Sequence, residues 1–130
     1  MRPFEETVAS ELTVLLRAGV PARGVHITVR EMLITRMERG PLGAQEVSDA
    51  VEAAVRAACR LVRELDAPDE LAEIVCRSAL EAVRGHGGAT ARWLTEATSA
   101  VYAVLDEVAM ERPEDPTWRW LARRLLIREG

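Results

Sequence analysis

The sequence contains no lysine and no asparagine, and it has only one phenylalanine and one tyrosine among its 130 residues. All 17 basic residues are therefore arginines, a bias that we attribute to a GC-rich genome. The formal net charge is -4, whereas nucleic-acid-binding domains are usually basic. The composition thus argues against a general nucleic-acid binder and is compatible only with a local basic patch.

Long apolar runs are also absent. The longest, such as residues 101–105, are far shorter than the ~20 residues that a membrane-spanning helix needs. The first residues lack the apolar stretch of a secretion signal. Hydrophobic residues make up 48% of the chain and charged residues 29%, which excludes intrinsic disorder. We therefore expect a cytoplasmic protein without a membrane span, folded as a single domain over residues 1–130.

The chain has two cysteines, Cys59 and Cys76, which are too few for a disulfide framework. The cytoplasm would keep both thiols reduced. Because free cysteine is among the most buried residue types, we interpret both as small core residues. A redox pair or a metal site is the alternative.

Apolar residues recur at spacings of three and four along almost the whole chain, which is the pattern of amphipathic α-helices. Glycine and proline lie mostly at the breaks between these segments. Six helices are predicted, over residues 3–18, 29–39, 44–65, 67–84, 89–111 and 115–129. Short connections imply antiparallel packing, so the predicted fold is an all-α, antiparallel helical bundle of about six helices with short Gly/Pro loops.

Capping residues predict where several of these helices begin. Thr28 and Glu31 have the spacing of a capping box, so helix two is expected to begin after Thr28. Asp66 is expected to cap helix four, and Asp115, which a proline follows, is expected to cap the last helix. The helix seams are rich in alanine and valine, which bury little area per residue, so self-association is expected to add burial.

The linear motifs of common enzymes are missing. The two histidines belong to no Glu-x-x-His pair or zinc-binding pattern, the serines lie in no nucleophile motif, and no phosphate-binding glycine loop follows a strand. We therefore expect no metal and no cofactor and favour a non-enzymatic protein. A helical-bundle ligand carrier or enzyme stays open, because an all-α pocket needs no linear motif. Its candidate pocket residues are His86, Trp93, Tyr102 and Asp106.

Three arginines, Arg56, Arg60 and Arg63, recur on one face of helix three. Guanidinium groups at this spacing can bind phosphates, so this Arg stripe is a candidate site for nucleic acid or another anionic ligand. Glu52 precedes Arg56 by four residues, the favourable order for a surface ion pair. A solvated, salt-bridged face is therefore the preferred interpretation of the stripe.

The C-terminal helix differs from the rest of the chain in charge and in aromatic content. Residues 117–130 carry four arginines and one glutamate, whereas residues 1–116 have a net charge of -7. Two of the three tryptophans lie here, and Trp and Arg are the residue types that dominate binding hot spots. The candidate partner-binding residues are Trp118, Trp120, Leu121, Arg123, Arg124 and Leu125.

These features favour a helical accessory or interaction protein that self-associates and docks a protein partner through its C-terminal amphipathic helix. A small regulator that binds nucleic acid or an anion through the Arg stripe is the second hypothesis. Docking of the basic helix onto its own acidic bundle is a further interpretation of the charge pattern, and it assigns the helix a structural role.

Overall fold

A computed structural model describes residues 3–39, 43–86 and 91–129, the last four of them by their backbone alone. The described residues contain six helices and no strand, which confirms the all-α prediction. The helices are α1 (Phe4–Arg17), α2 (Ala22–Glu38), α3 (Ala44–Glu64), α4 (Glu70–Gly85), α5 (Ala91–Glu111) and α6 (Thr117–Glu129).

The six helices pack in two layers. Helices α1, α3 and α5 form one layer, helices α2, α4 and α6 form the other, and the pairs α1–α2, α3–α4 and α5–α6 join the layers. Helix α3 packs against α1, α2, α4 and α5, most extensively against α5. The ion pairs Arg56–Glu107 and Arg63–Glu111 join α3 to α5, and from the first pair to the second the residue number increases on both helices. Helices α3 and α5 therefore run parallel.

Small side chains fill the centre of this array. Ten residues of α3 are buried, and eight of them are alanine or valine, at positions 47, 50, 51, 54, 55, 57, 58 and 62. Such side chains let helix axes approach closely, which explains how one helix can contact four others. The largest fully buried side chains lie on helices other than α3, among them Leu12 of α1, Leu33 of α2 and Trp118 of α6.

The end of α1 follows its sequence signal. Gly19 has a φ of 68°, a left-handed conformation that glycine adopts without steric cost. The N–H of Val20 donates to the carbonyl of Leu15, and the N–H of Gly19 donates to that of Leu16. These two bonds form a Schellman motif, which satisfies carbonyls that the helix end leaves without partners.

The predicted start of helix two was wrong. Helix α2 begins at Ala22, directly after Pro21, and the hydroxyl of Thr28 donates to the carbonyl of Gly24 instead of capping a helix. The buried residues of α2 are spaced by four: Val25, Val29, Leu33 and Met37. The earlier start adds Val25 to this stripe, and the burial of one more valine favours it over a start after Thr28.

The predicted role of Asp66 was also wrong. Asp66 has a φ of 52° and follows the end of α3, and the N–H of Ala67 donates to the carbonyl of Leu61. Helix α4 begins only at Glu70. The predicted start of helix five at residue 89, and residues 40–42 between the predicted helices two and three, lie outside the described residues.

A substitution at Gly24 tests where α2 begins. A Cβ at this position would lie 2.5 Å from Cγ1 of Val20, closer than side chains pack. Alanine in a helix usually stabilises by up to about 1 kcal/mol relative to glycine. We expect Gly24→Ala instead to lower the free energy of unfolding by about 1 kcal/mol, measured by urea denaturation, because the branched Val20 cannot move far.

Two controls accompany this measurement. In a Val20→Ala background, Gly24→Ala should become neutral or stabilising, since the clash is gone. At Gly85, where a Cβ would meet no atom within 4 Å, alanine should be tolerated in the wild-type background. A stabilising Gly24→Ala would contradict the described start of α2.

Candidate functional site

The C-terminal helix α6 docks on the chain's own bundle. It packs against α5 and α4. Trp118 is 2% exposed, and Leu121 and Leu125 are equally buried. The indole N–H of Trp118 has no hydrogen-bond acceptor among the described residues, so apolar burial, not polar pairing, holds this ring in place. Three of the six predicted partner-binding residues therefore belong to the core, where a partner cannot reach them while α6 is docked.

The start of α6 is fixed as predicted. The carboxylate of Asp115 accepts the backbone N–H of Thr117 at 3.0 Å. This interaction with Thr117 holds the pKa of Asp115 below its usual range. Because the pKa is lowered in the folded protein, the cap contributes stability above the unfolded-state pKa of Asp115 and loses it as the pH falls through the folded-state value.

A largely buried carboxylate joins α6 to α4. The side chain of Glu73 is 12% exposed, and its Oε1 atom lies 2.7 Å from Arg77 and 2.7 Å from Arg124. One carboxylate thus accepts from two guanidinium groups, one on its own helix and one on α6. The sequence contained one signal for this, the four-residue spacing of Glu73 and Arg77, but nothing that linked Glu73 to Arg124.

The opposite side of α6 presents an aromatic ring among arginines. Trp120 is 55% exposed, and the guanidinium carbon of Arg124 lies 5.1 Å from the centre of its ring. Arg119 and Arg123 are exposed and make no ion pair among the described residues. We call Arg119, Trp120, Arg123 and Arg124 the α6 surface. It contains the other three predicted partner-binding residues.

The Arg stripe of α3 is paired with the chain's own carboxylates. Arg56 pairs with Glu52 and Glu107, Arg60 pairs with Glu5 at 3.3 Å, and Arg63 pairs with Glu111 at 2.8 Å. The hydrogen bond to Glu52 raises the pKa of Arg56, and burial opposes that rise. The stripe therefore joins α3 to α1 and α5, and an external anion would have to displace a carboxylate from every arginine.

The four candidate pocket residues do not meet in one place. The rings of His86 and Trp93 are in contact, with centres 5.4 Å apart. Asp106 follows Trp93 by thirteen residues on the same helix, a separation of about 20 Å at the rise of an α-helix. It lines an open depression beside Arg56 and Met110, and Tyr102 is half-buried between the two positions. The structure therefore brings His86 and Trp93 together and places Asp106 apart from them.

One polar cluster was not anticipated from the sequence. His26 Nδ1 lies 2.8 Å from Ser78 Oγ, and His26 Nε2 lies 3.0 Å from Glu81 Oε2. The residue types and distances match those of a hydrolytic triad. However, Ser78 is fully buried, and its Oγ also lies 2.7 Å from the carbonyl of Ile74. The hydroxyl is thus closed to a substrate carbonyl, and the cluster joins α2 to α4.

Both cysteines are free and buried. Burial raises the pKa of Cys59 to about 12 and raises the pKa of Cys76 well above its ordinary value. Neither thiol has the low pKa of a reactive cysteine.

Among the residues that the structure describes, no group of three His, Cys, Asp or Glu side chains is arranged to hold a metal ion. No described helix is long and apolar enough to cross a membrane.

Comparisons with known proteins do not assign the chain to a group. No protein-family model matches it, and no curated protein and no solved structure is significantly similar to it. Its function is therefore inferred from the α6 surface and the other features described above.

The Glu73 pairs predict a stability effect. We expect Glu73→Gln to lower the free energy of unfolding by about 1–3 kcal/mol, because two partly buried guanidinium groups lose their carboxylate. A double-mutant cycle with Arg124→Gln should give a coupling energy of about 1 kcal/mol. Glu70→Gln, an exposed position on the same helix, is the control and should change stability by less than about 0.5 kcal/mol. Equal effects of both substitutions would contradict a specific role for Glu73.

The raised thiol pKa values predict low cysteine reactivity. At pH 8 a thiol with a pKa of about 12 is ionised in about one molecule in ten thousand, and the thiolate is the reactive form. We expect a disulfide reagent that releases a coloured thiolate to modify neither cysteine of the folded protein within minutes, and both of them in 6 M guanidinium. Rapid stoichiometric modification of the folded protein would contradict the described burial.

Proposed function

We propose that the chain is a non-enzymatic interaction protein that binds an acidic protein segment on the α6 surface. The main support for this proposal is that Trp120 is exposed and lies among arginines. The apolar residues on the other side of the same helix are buried against the bundle. Exposed indole area is removed from water when a partner covers it, which is favourable by about 25 cal/mol per Å². Trp and Arg are also the residue types most often found at the energetic centre of interfaces.

The charge of the surface specifies the partner's chemistry. Arg119 and Arg123 have no ion pair in the described part of the chain, whereas the Arg stripe of α3 is neutralised by its own carboxylates. Unpaired guanidinium groups beside an aromatic ring favour a partner with carboxylates next to an apolar side chain. Because residues 1–116 have a net charge of -7, a second copy of this chain also has a suitable charge.

The docked state of α6 defines the binding mode. With Trp118, Leu121 and Leu125 in the core, the proposed partner meets a folded, preorganised helix and no apolar stripe that must first detach. Binding to a preorganised surface avoids the entropy cost of ordering the helix. This differs from the sequence-based hypothesis, in which those three residues contacted the partner directly.

A fluorescently labelled synthetic peptide helix, with glutamates on one face and leucines on the other, tests this proposal. Its binding is measured by fluorescence anisotropy. We expect saturable binding that weakens with salt, and a loss of about tenfold in affinity for Trp120→Ala and for Arg123→Gln. Matched controls are Met110→Ala, which removes an exposed apolar side chain from α5, and Arg92→Gln, which removes an exposed arginine. Both should bind like the wild type.

Two results would contradict the proposal: no saturable binding of the acidic helix, or equal losses in the control variants. Sedimentation of the wild-type chain over a concentration series determines whether a second copy occupies the surface. Self-association that Trp120→Ala abolishes would identify that copy as the partner. A monomer that still binds the acidic helix would identify a different protein as the partner.

A further inference from the structure

An open depression of about 620 Å³ lies on the exposed side of α5, next to α3. Its lining residues are Arg56, Ala103, Asp106, Glu107, Met110 and Glu111. We call it the α3–α5 depression. Its volume lies within the range of binding pockets, about 300–1,000 Å³, so it has room for a large side chain. None of its residues belongs to the α6 surface.

The apolar part of the depression is suited to an aromatic ring. Met110 is 73% exposed, more than any other large apolar side chain that the structure describes. Ala103 is also exposed, two turns earlier on the same helix, and its small side chain leaves space beside Met110. The thioether of methionine makes favourable contacts with aromatic rings, and its flexible side chain adapts to the ring that it meets.

The polar part of the depression has an excess of negative charge. Two guanidinium groups meet three carboxylates there, in the pairs Arg56–Glu52, Arg56–Glu107 and Arg63–Glu111. Asp106 is exposed and makes no ion pair within the described ranges. Four carboxylates thus surround two guanidinium groups, which leaves a local net charge of -2.

The α6 surface has the complementary properties. It presents the exposed indole of Trp120 together with Arg119 and Arg123, two guanidinium groups that make no ion pair among the described residues. Their charge equals the local excess of the α3–α5 depression and has the opposite sign, which favours association of the two surfaces. Within one chain Trp120 and Met110 are both exposed, so they do not cover each other.

Both surfaces lie at the same end of the two-layer array. Helices α5 and α6 pack against each other, and in the described part of the chain neither contacts α1 or α2. A two-fold axis beside this helix pair can therefore bring the α6 surface of each copy onto the α3–α5 depression of the other. Every contact is then made twice, which helps a small chain to reach the roughly 1,200 Å² of total buried surface that a stable interface needs.

We propose that the α6 surface binds the α3–α5 depression of a second copy, which makes the chain a two-fold symmetric dimer. This inference rests on the proposed function, because it identifies the acidic partner of the α6 surface. In the dimer, Trp120 of one copy covers Met110 of the other, and Arg119 and Arg123 of one copy face Asp106 of the other. The complementary charges align the two copies, and the apolar contact adds burial.

Sedimentation equilibrium of the full chain over a concentration series tests this proposal. We expect the wild type to dimerise, and we expect Asp106→Arg and Arg123→Asp each to weaken dimerisation at least tenfold, because each places like charges across both contacts. Glu11→Arg and Arg23→Asp are the matched controls. They reverse exposed charges on α1 and α2, at the other end of the array, and should dimerise like the wild type.

An equimolar mixture of the Asp106→Arg and Arg123→Asp variants separates this arrangement from a folding defect. A mixed dimer has one contact with the native charges and one contact in which both charges are reversed, so both contacts are attractive. We expect the mixture to dimerise although each variant alone remains largely monomeric. A variant that had failed to fold would not recover in the mixture.

The possible failures are distinguishable. A wild-type chain that stays monomeric up to about 1 mM and still binds the labelled acidic helix would overturn the dimer and leave the proposed function intact. A chain that neither dimerises nor binds the acidic helix would overturn both. A dimer that tolerates both charge reversals, or a mixture that stays monomeric, would overturn the assignment of these two surfaces.

Discussion

The structure depends on the close packing of α3 against four neighbouring helices. Its buried face consists largely of alanine and valine, and residues such as Ala54, Val55 and Ala58 have no exposed surface. Small side chains allow this packing, but they bury less apolar area than leucine or phenylalanine would. Contacts at the edges of α3 therefore matter more for stability. There the arginines pair with carboxylates of α1 and α5. Apolar packing at the centre and ion pairs at the rim hold one layer together.

Much of the fold could be predicted from the sequence, because it rests on local signals. Apolar spacing predicted six helices, a glycine and proline break predicted that the first of them ends at residue 18, and Asp115 predicted the cap of α6. The start of α2 could not be predicted in this way. Two start signals, Pro21 and Thr28, lie seven residues apart, and the burial of Val25 against other helices decides between them.

The candidate sites were harder to predict, because they depend on contacts between residues that are distant in the sequence. Glu73 meets Arg124 across 51 positions, and His26 meets Ser78 across 52. The sequence could not show that the Arg stripe of α3 meets carboxylates from other helices, whereas Arg119 and Arg123 make no ion pair in the part of the chain that the structure describes. Local charge patterns thus identified arginine-rich faces correctly but could not separate the paired arginines from the unpaired ones.

The two-layer arrangement also determines how the parts of the molecule depend on one another. In the described part of the chain, α1 and α2 contact neither α5 nor α6, and α3 and α4 lie between the two pairs. Stability in such an array is close to a sum over neighbouring pairs, as in repeat proteins. The two end pairs are therefore coupled to each other only through α3 and α4. Opening of the α5–α6 end can precede global unfolding and leave the α1–α2 end, together with its contacts to α3 and α4, in place.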